Sequence, residues 1–299
     1  MIQRGHMYYA RVCILALSIS FFWACSVTAV SAEVKTDHVI IVVLDGLRPD
    51  AISATSTPNL HRLATEGSAS FNVRTVFPSK TVPAIMSLVS GVDPDIHGVK
   101  TNNLMDLLLF QGETIFSFVK EHNFSTGAIV SKKEIAPLAV PSIIDYAKFP
   151  KRVKYWSLDR VVKEFQAILS LHTVNLLFVH FNEPDVTGHE YGWMSKKYLK
   201  AVKRVDHALG EIVKIATHML GEKSYTLIIT ADHGGHGRSH GTRDPRDMTT
   251  PLIVWGEGVQ SGTPLASPSI LDIAPTTLWL LGISAPIAFQ GRVMTEAFE

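Results

Sequence analysis

A short histidine-rich segment holds the first residues that can do chemistry. It reads TADHGGHGRSHG over residues 230–241 and places His233, His236 and His240 beside Asp232. Asp232 and His233 follow an apolar run, and adjacent residues at the end of a strand point in different directions. These two can therefore bind one metal ion while His240 turns back towards another. Glycines on both sides of His236 predict a loop position that faces water, so His236 is not counted as a ligand.

Acidic residues at the ends of two other apolar runs complete a metal-binding set. Asp45 closes HVIIVVLD, while Asp185 and His189 lie in NEPDVTGHEYG, where Gly188 predicts a turn. Sites in open α/β sheets form outside the carboxyl ends of the strands, so these residues should meet the histidine-rich segment. The resulting mixture of carboxylates and imidazoles suits two divalent ions, zinc first and manganese second. Two metal ions about 3.5–4 Å apart clamp both oxygens of a displacement at phosphorus, so the set predicts phosphoryl chemistry.

The nucleophile for such chemistry is predicted at Thr81, within TVFPSKTVPAIMSLVSG. Pro83 and the apolar residues after it predict that Thr81 begins a helix, where free backbone N–H groups favour a phosphate. Metal coordination would make the hydroxyl nucleophilic. Two alternatives stay open: Thr81 can be an ordinary N-cap, and Ser79 is the rival nucleophile.

Apolar runs and helical patterns alternate along the chain and predict the fold. Runs rich in β-branched residues recur over 38–45, 125–131, 174–181, 225–232 and 251–256. Continuous apolar strands are typical of a parallel sheet that is buried on both faces. Helical patterns lie over 57–67, with Thr57 as the predicted cap, and over 157–171 and 195–220. The sequence therefore predicts an α/β fold with a mostly parallel central sheet and helices on both faces.

Residues 1–32 differ from the rest of the chain and predict export. Arg4 and Arg11 precede an uncharged stretch over 12–32 that ends in small residues. This pattern is typical of a secretory signal peptide cut after Ala32, which would leave a single catalytic domain over 33–299 in the periplasm or outside the cell. At about 20 residues the stretch can also span a bilayer, so an uncleaved signal anchor is the alternative. Membrane contact is expected only in that case.

Cysteine content and charge exclude several kinds of site. Both cysteines, Cys13 and Cys25, lie in the predicted leader, so the domain after it has no thiol for a disulfide, a metal or a nucleophile. The formal net charge of the chain is +1, which does not favour a nucleic-acid polymer as partner. The expected partner is a small phosphate ester or a lipid head group.

Six segments along the chain carry a resemblance to a known enzyme family. In order they are VVLDGLRPD, TPNLHRLATEGS, FPSKTVPAIMSLVSGVDPDIHGVKTNNLMD, NEPDVTGHEYG, ADHGGHGRSHG and DIAPTTLWLLGI. They resemble segments of the alkaline phosphatase superfamily, and most closely its type I phosphodiesterase/nucleotide pyrophosphatase branch. The resemblance runs from residue 38 to residue 292 and implies the fold predicted above.

The resemblance also implies a role for each candidate residue. One metal would be bound by Asp45, Asp232 and His233 together with the Thr81 oxygen, and the other by Asp185, His189 and His240. Thr81 would attack phosphorus and form a phosphothreonine intermediate, which is then hydrolysed. Asn102 or Asn103, in HGVKTNNLMD, matches a segment that lies near the site in this branch and would contact the substrate. The chain is thus predicted to be an exported two-metal phosphodiesterase.

Departures from the branch keep other activities open. His240 follows His233 closely, where the nucleotide pyrophosphatases carry a long insertion, and this short spacing resembles the ethanolamine-phosphate transferases of the superfamily. Ala84 stands where the branch usually has asparagine, which leaves a metal-dependent binder of phosphate ligands without turnover as an alternative. Arg48 and Arg238 are the nearest arginines in sequence, and neither is obviously placed to hold a phosphomonoester, so phosphodiesterase is favoured over phosphomonoesterase. The chain lacks the C/S-x-P-x-R context that a sulfatase needs.

Overall fold

The described part of the chain is built around one mixed sheet of seven strands. The structure is a computed structural model and describes residues 35–110, 112–138, 143–222 and 224–298. In chain order the strands are His38–Leu44 (β1), Ser68–Arg74 (β2), Thr126–Val130 (β3), Tyr146–Lys148 (β4), Leu176–Phe181 (β5), Tyr225–Thr230 (β6) and Thr249–Gly256 (β7). The predicted leader over residues 1–32 lies outside the described residues. It stays a prediction, as does the extent of the single domain.

The strands run in the order β2-β7-β6-β1-β5-β3-β4 across the sheet. β1 pairs in parallel with β5 and β6, and the parallel pairing continues from β5 through β3 to β4. The predicted fold class, α/β with a mostly parallel sheet, is therefore confirmed. One run differs, because residues 251–256 belong to β7, which is antiparallel to both β6 and β2. The middle of β7 is buried on both faces like a parallel strand, so its apolar run does not reveal its direction.

Helices separate and follow the strands. The α-helices are Pro58–Glu66 (α1), Thr81–Ser90 (α2), Pro94–His97 (α3), Leu104–Leu108 (α4), Ile115–Glu121 (α5), Leu158–Leu171 (α6), Asp185–Tyr191 (α7), Lys196–Leu220 (α8), Pro245–Met248 (α9) and Ile273–Leu280 (α10). Short 3-10 helices lie at Pro49–Ala51, Lys133–Leu138, Ile270–Asp272 and Thr295–Ala297. α1, α6 and α8 agree with the helices predicted over 57–67, 157–171 and 195–220. Among the described helices, none is long and apolar enough to cross a membrane.

The two faces of the sheet are covered by different helices. Side chains of β1 alternate between the faces: Val39 and Ile41 pack into a core with α2, α5 and α10, while Ile40 and Val42 pack into a core with α1, α6 and α8. Every residue of β1 is buried. β1 is thus held from both sides, and its carboxyl end has a fixed position at the centre of the sheet edge.

The start of α1 is held by a residue that the sequence analysis did not select. Thr57 lies at the predicted N-cap position, but its hydroxyl bonds the backbone of Ser53 and does not cap α1. Asp206, buried in α8, instead accepts from the backbone N–H groups of Asn59 (3.2 Å) and Leu60 (2.7 Å). A carboxylate is stabilised at a helix N-terminus by free N–H groups and by the helix dipole. Asp206 therefore joins α8 to α1.

Replacing Asp206 with alanine should lower the free energy of unfolding by about 2–4 kcal/mol, because N–H groups at a buried helix start lose their acceptor. Asp206→Asn keeps an acceptor without the charge and should cost less. Urea unfolding followed by circular dichroism measures both, with the exposed Asp37→Ala as control. A loss in Asp206→Ala no larger than in Asp37→Ala would contradict this role.

Candidate active site

The carboxyl ends of β1, β5 and β6 meet at one edge of the sheet and bring three aspartates together. Asp45 follows β1, Asp185 begins α7 after β5, and Asp232 follows β6. The Asp185 backbone N–H donates to the Asp45 carbonyl over 2.9 Å, and the Gly46 N–H donates to Asp232 Oδ1 over 3.1 Å. All three carboxylates are buried. The strand ends and these hydrogen bonds fix the three acids relative to one another.

The segment after β5 is a helix, and the turn predicted from Gly188 is wrong. α7 begins at Asp185, so Asp185 and His189 lie one helical turn apart on the same face. Gly188 allows the Trp193 ring to pack against α7, since a Cβ at this position would lie 2.8 Å from the ring. Gly46 has a φ of +72°, and a Cβ on it would lie 2.9 Å from Asp185 Cα. Gly46 thus allows two backbone segments to approach closely at the site, and Gly188 leaves room for the Trp193 ring.

Two groups of side chains at this edge can each hold a metal ion. The first triad consists of Asp45, Asp232 and His233, and the second triad consists of Asp185, His189 and His240. Within each triad the candidate ligand atoms lie within 4.8 Å of one another. The side chains that were predicted as metal ligands are therefore brought together, in the division that the resemblance implied.

Each of the three histidine rings is oriented by a backbone carbonyl. Nδ1 of His233, His189 and His240 lies at 2.7, 3.0 and 2.8 Å from the carbonyls of Gly234, Arg238 and Ser79, respectively. Because a carbonyl oxygen only accepts, Nδ1 carries the hydrogen, and Nε2 of the neutral ring keeps its lone pair. Each Nε2 lies 3.4–3.6 Å from a carboxylate oxygen of its triad. Metal-binding histidines are oriented in the same way.

Three buried carboxylate oxygens of the two triads have no hydrogen-bond partner among the described residues. They are Asp45 Oδ1, Asp185 Oδ1 and Asp232 Oδ2. Burial of a charged oxygen without a donor is costly, so such atoms indicate a cation. The same oxygens are the ones that lie near the histidine Nε2 atoms. The oxygen and nitrogen donors of the two triads therefore fit two divalent ions.

Burial and neighbouring charges shift the pKa values of the candidate ligands. Burial, with Asp45 close by, raises the pKa of Asp232 to about 6. Burial alone would lower the pKa of His233, but the surrounding aspartates outweigh it and raise that pKa. The carboxylate of Asp185, whose Oδ1 lies 3.4 Å from Nε2, raises the pKa of His189. Burial and His233 lower the pKa of His240 to about 3, so its ring is neutral and available as a ligand.

Thr81 is the first residue of α2 and lies beside the first triad. It is buried, and its Oγ1 is 3.4 Å from Nε2 of His233. The rival nucleophile, Ser79, donates its hydroxyl to the Thr242 carbonyl over 2.8 Å, and its own carbonyl orients His240. The geometry therefore favours Thr81 over Ser79.

Asn102 and Asn103 occupy different places. The Val82 N–H, in the first turn of α2, donates to Asn102 Oδ1 over 3.0 Å. Asn102 thus lies against the helix start that carries Thr81. Asn103 caps α4 by accepting from the Met105 N–H over 2.9 Å. Of the two asparagines named from the sequence, Asn102 is the one beside the candidate nucleophile.

Lys132 and His180, which the sequence analysis did not select, lie inside the site. Lys132 Nζ donates to Asp45 Oδ2 (2.6 Å) and Asp185 Oδ2 (2.9 Å), and His180 Nε2 is 3.3 Å from Asp45 Oδ2. Burial alone would lower the pKa of Lys132, but the aspartates outweigh it and raise that pKa well above its usual value. Its ammonium group therefore stays charged.

His236 is partly exposed in its loop, and a buried aspartate holds its ring. Its Nδ1 lies 2.7 Å from Asp247 Oδ1, and its side chain is 30% exposed. Asp247 is fully buried and also accepts from the backbone N–H of Thr242 over 3.0 Å. The pair ties the histidine-rich loop to the segment before β7, and His236 belongs to neither triad.

An α/β sheet that carries a buried threonine hydroxyl beside two carboxylate–histidine triads has the groups that metal-assisted phosphoryl transfer uses. The chain belongs to the type I phosphodiesterase / nucleotide pyrophosphatase family, whose sequence profile matches residues 39–239. That range contains Thr81 and both triads except His240, which follows its end by one residue.

Curated relatives include two kinds of enzyme. GPI ethanolamine phosphate transferase 1 of Gibberella zeae is 28% identical over 268 residues, which cover 77% of this chain and 27% of that protein. Ectonucleotide pyrophosphatase/phosphodiesterase family member 1 of Rattus norvegicus is 25% identical over 224 residues, which cover 68% of this chain and 24% of that protein. The chain thus spans about a quarter of the length of these relatives.

A solved structure shares the fold. Murine ectonucleotide pyrophosphatase / phosphodiesterase 5, as an inactive variant in complex with AMP, superposes with a TM-score of 0.73 at 17% identity. The match covers 84% of this chain and 96% of that chain. At this identity the likeness shows the fold, and it agrees with the predicted class.

Proposed function

We propose that this protein is a two-metal phosphoric ester hydrolase that acts on phosphate diesters with Thr81 as nucleophile. One observation carries the proposal: the buried Thr81 oxygen lies at a helix start beside the first triad, and Asp185 brings the second triad to the same sheet edge. A displacement at phosphorus needs a nucleophilic oxygen with positive charge near the attacking and leaving oxygens. Family membership supports the proposal.

Each triad would hold one divalent ion, zinc first and manganese second by the chemistry of the donors. When bound, these ions supply Lewis-acid stabilisation of charge on the reacting oxygens. The chain's own residues position the substrate and supply the nucleophile. Thr81 attacks phosphorus and forms a phosphothreonine intermediate, which water then hydrolyses. Asn102 accepts from the Val82 N–H through Oδ1, which leaves its amide NH2 group for a phosphoryl oxygen.

Two observations favour a diester over a monoester. The Arg48 guanidinium donates to Asp50 over 2.9 Å and to the Gly235 carbonyl over 3.2 Å, so it is used within the protein. A cavity of about 460 Å³ lies beside Asn102, with Phe149 on its wall. It offers room for a second ester group on a small molecule or a lipid head group.

A phosphoethanolamine or similar head-group transferase is the second candidate. GPI ethanolamine phosphate transferases of several fungi are among the curated relatives. The close spacing of His233 and His240 in the sequence also favours transferase activity. A transferase and a hydrolase can share Thr81 and both triads, because they differ in whether an alcohol or water accepts the phosphoryl group. We propose export to the periplasm or the exterior for either activity, with a membrane-tethered form if the leader is uncleaved.

The test uses the full chain prepared with zinc or manganese. Elemental analysis measures the metal content, and turnover is compared between bis-p-nitrophenyl phosphate and p-nitrophenyl phosphate. A parallel reaction contains glycerol, and phosphorus NMR detects any new ester. We expect two metal ions per chain, faster cleavage of the diester, loss of turnover on chelation and no new ester.

The other outcomes separate the alternatives. Formation of a glycerol ester would favour the transferase, and faster cleavage of the monoester would favour a phosphomonoesterase. Two bound metals without turnover of either ester or transfer would favour a binder that does not turn over its ligand. Absence of bound metal would contradict both the hydrolase and the transferase.

A further inference from the structure

Lys132 enters the site from a firmly anchored piece of backbone at the end of β3. The Trp156 N–H donates to the Ser131 carbonyl over 2.9 Å, and the Lys133 N–H donates to the Lys154 carbonyl over 3.1 Å. Both neighbours of Lys132 in the chain are thus held. The Lys132 side chain is 8% exposed, so it extends from a fixed point into the protein and not into solvent.

The ammonium group of Lys132 has one acceptor for each of its three hydrogens. Nζ donates to Asp45 Oδ2 over 2.6 Å, to Asp185 Oδ2 over 2.9 Å and to Thr81 Oγ1 over 3.2 Å. Asp45 belongs to the first triad and Asp185 to the second. Lys132 therefore connects both triads to the oxygen of the candidate nucleophile.

Lys132 and the triads use different oxygens of the same carboxylates. Lys132 binds Oδ2 of Asp45 and Oδ2 of Asp185. The Oδ1 atoms of both residues lie nearest the triad histidines and have no hydrogen-bond partner among the described residues. Binding of cations by these Oδ1 atoms does not require Lys132 to release Oδ2. Lys132 is thus placed to act beside the metals and not as a substitute for one of them.

We propose that Lys132 is a further catalytic residue of the hydrolase, whose ammonium group stabilises negative charge on the Thr81 oxygen. The inference rests on the proposed function, because it assigns a role within that reaction. A fixed donor aimed at an oxygen that gains charge in the transition state is among the strongest contributions an active site makes. An ammonium group supplies such a donor as a compact positive charge.

The contact matters in both halves of the reaction. In the first, the Thr81 hydroxyl proton passes to solvent, Oγ bonds to phosphorus, and the bond to the leaving oxygen breaks with its electron pair. In the second, a water oxygen bonds to phosphorus, the bond to Oγ breaks, and the electron pair returns to Oγ beside Lys132 before a solvent proton rejoins it. A p-nitrophenolate leaves easily, whereas a threonine alkoxide does not. Loss of Lys132 should therefore slow the second half more.

The experiment compares Lys132→Met with wild type and with Lys148→Met, which removes an exposed lysine that faces Glu164. For Lys132→Met we expect both metals to remain by elemental analysis, kcat for bis-p-nitrophenyl phosphate to fall about 100-fold, and a phosphothreonine adduct to accumulate in intact-mass spectra. KM should fall as well, because the slower second half becomes rate-limiting, so kcat/KM should change less than kcat. Lys132→Arg keeps the charge and should recover part of kcat. Lys148→Met should match wild type.

Three results would overturn the proposal. The first is turnover in Lys132→Met within about threefold of wild type at full metal content. The second is loss of metal together with activity, with full turnover restored by excess metal, since Lys132 would then serve metal retention alone. The third is a slower enzyme without the adduct. If Lys132→Met does not fold, the neutral but polar Lys132→Gln variant replaces it, and the same measurements test the proposal. Wild type that holds two metals and cleaves no phosphate ester would overturn the proposed function as well.

Discussion

Thr81→Ala should reduce turnover of a phosphate diester by about 10⁴-fold or more, with the fold and the metal content unchanged. The large effect is expected because alanine offers no oxygen to attack phosphorus, so the covalent route is lost. The small change in structure is expected because the Thr81 oxygen is only one neighbour of the first triad. The carboxylates and imidazoles of both triads stay in place. Steady-state kinetics and elemental analysis on one preparation test both parts.

Two further variants make this result specific. Thr81→Ser keeps a hydroxyl at the start of α2 and should retain measurable turnover. Thr65→Ala removes an exposed threonine of α1, whose hydroxyl donates only to a backbone carbonyl, and should leave turnover unchanged. If Thr81→Ala still cleaved the diester at the wild-type rate, the nucleophile would be elsewhere. If it lost its metals, Thr81 would be needed for metal binding and its role as nucleophile would stay open.

The layers of the fold could be predicted because each buried strand is a continuous apolar run. The runs over 38–45 and 174–181 became β1 and β5, and the long amphipathic pattern over 195–220 became α8. The direction of β7 could not be predicted, because burial on both faces removes the alternation that marks a strand exposed on one side. β2 and β4 were missed for a related reason. They lie at the two edges of the sheet, and their side chains are mostly partly exposed or exposed, so neither forms an apolar run.

The candidate metal ligands could be selected from the sequence because acids and histidines at the ends of apolar runs are conspicuous. Lys132 could not, because it is one of two adjacent lysines in SKKE, and the sequence does not say which one points inwards. His180 lies inside the apolar run LLFVHF, which predicts a buried strand and does not mark any of its residues as part of a site. The cap of α1 by Asp206 could not be predicted for another reason. Asp206 lies far from α1 in sequence, and only the packing of α8 on α1 brings them together.

Acidification should release the metal ions from the folded protein. Metal ligands must be deprotonated, so a ligand with a raised pKa exchanges a proton for the metal, and affinity falls as pH falls below that pKa. The pKa of Asp232 is raised to about 6, and those of His233 and His189 are also raised. All three act in the same direction. His240, with a pKa lowered to about 3, stays neutral and adds no dependence above pH 5.

Each displaced proton changes the affinity about tenfold per pH unit, so a fall of at least about 100-fold is expected between pH 8 and pH 5. Competition with a coloured chelator measures the affinity at several pH values, and circular dichroism confirms that the protein stays folded. Asp232→Asn gives the matched control. It should bind metal more weakly at pH 8, yet lose less affinity on acidification, because the proton of Asp232 no longer competes. A wild-type affinity that is constant over this range would show that the triads do not hold the metals.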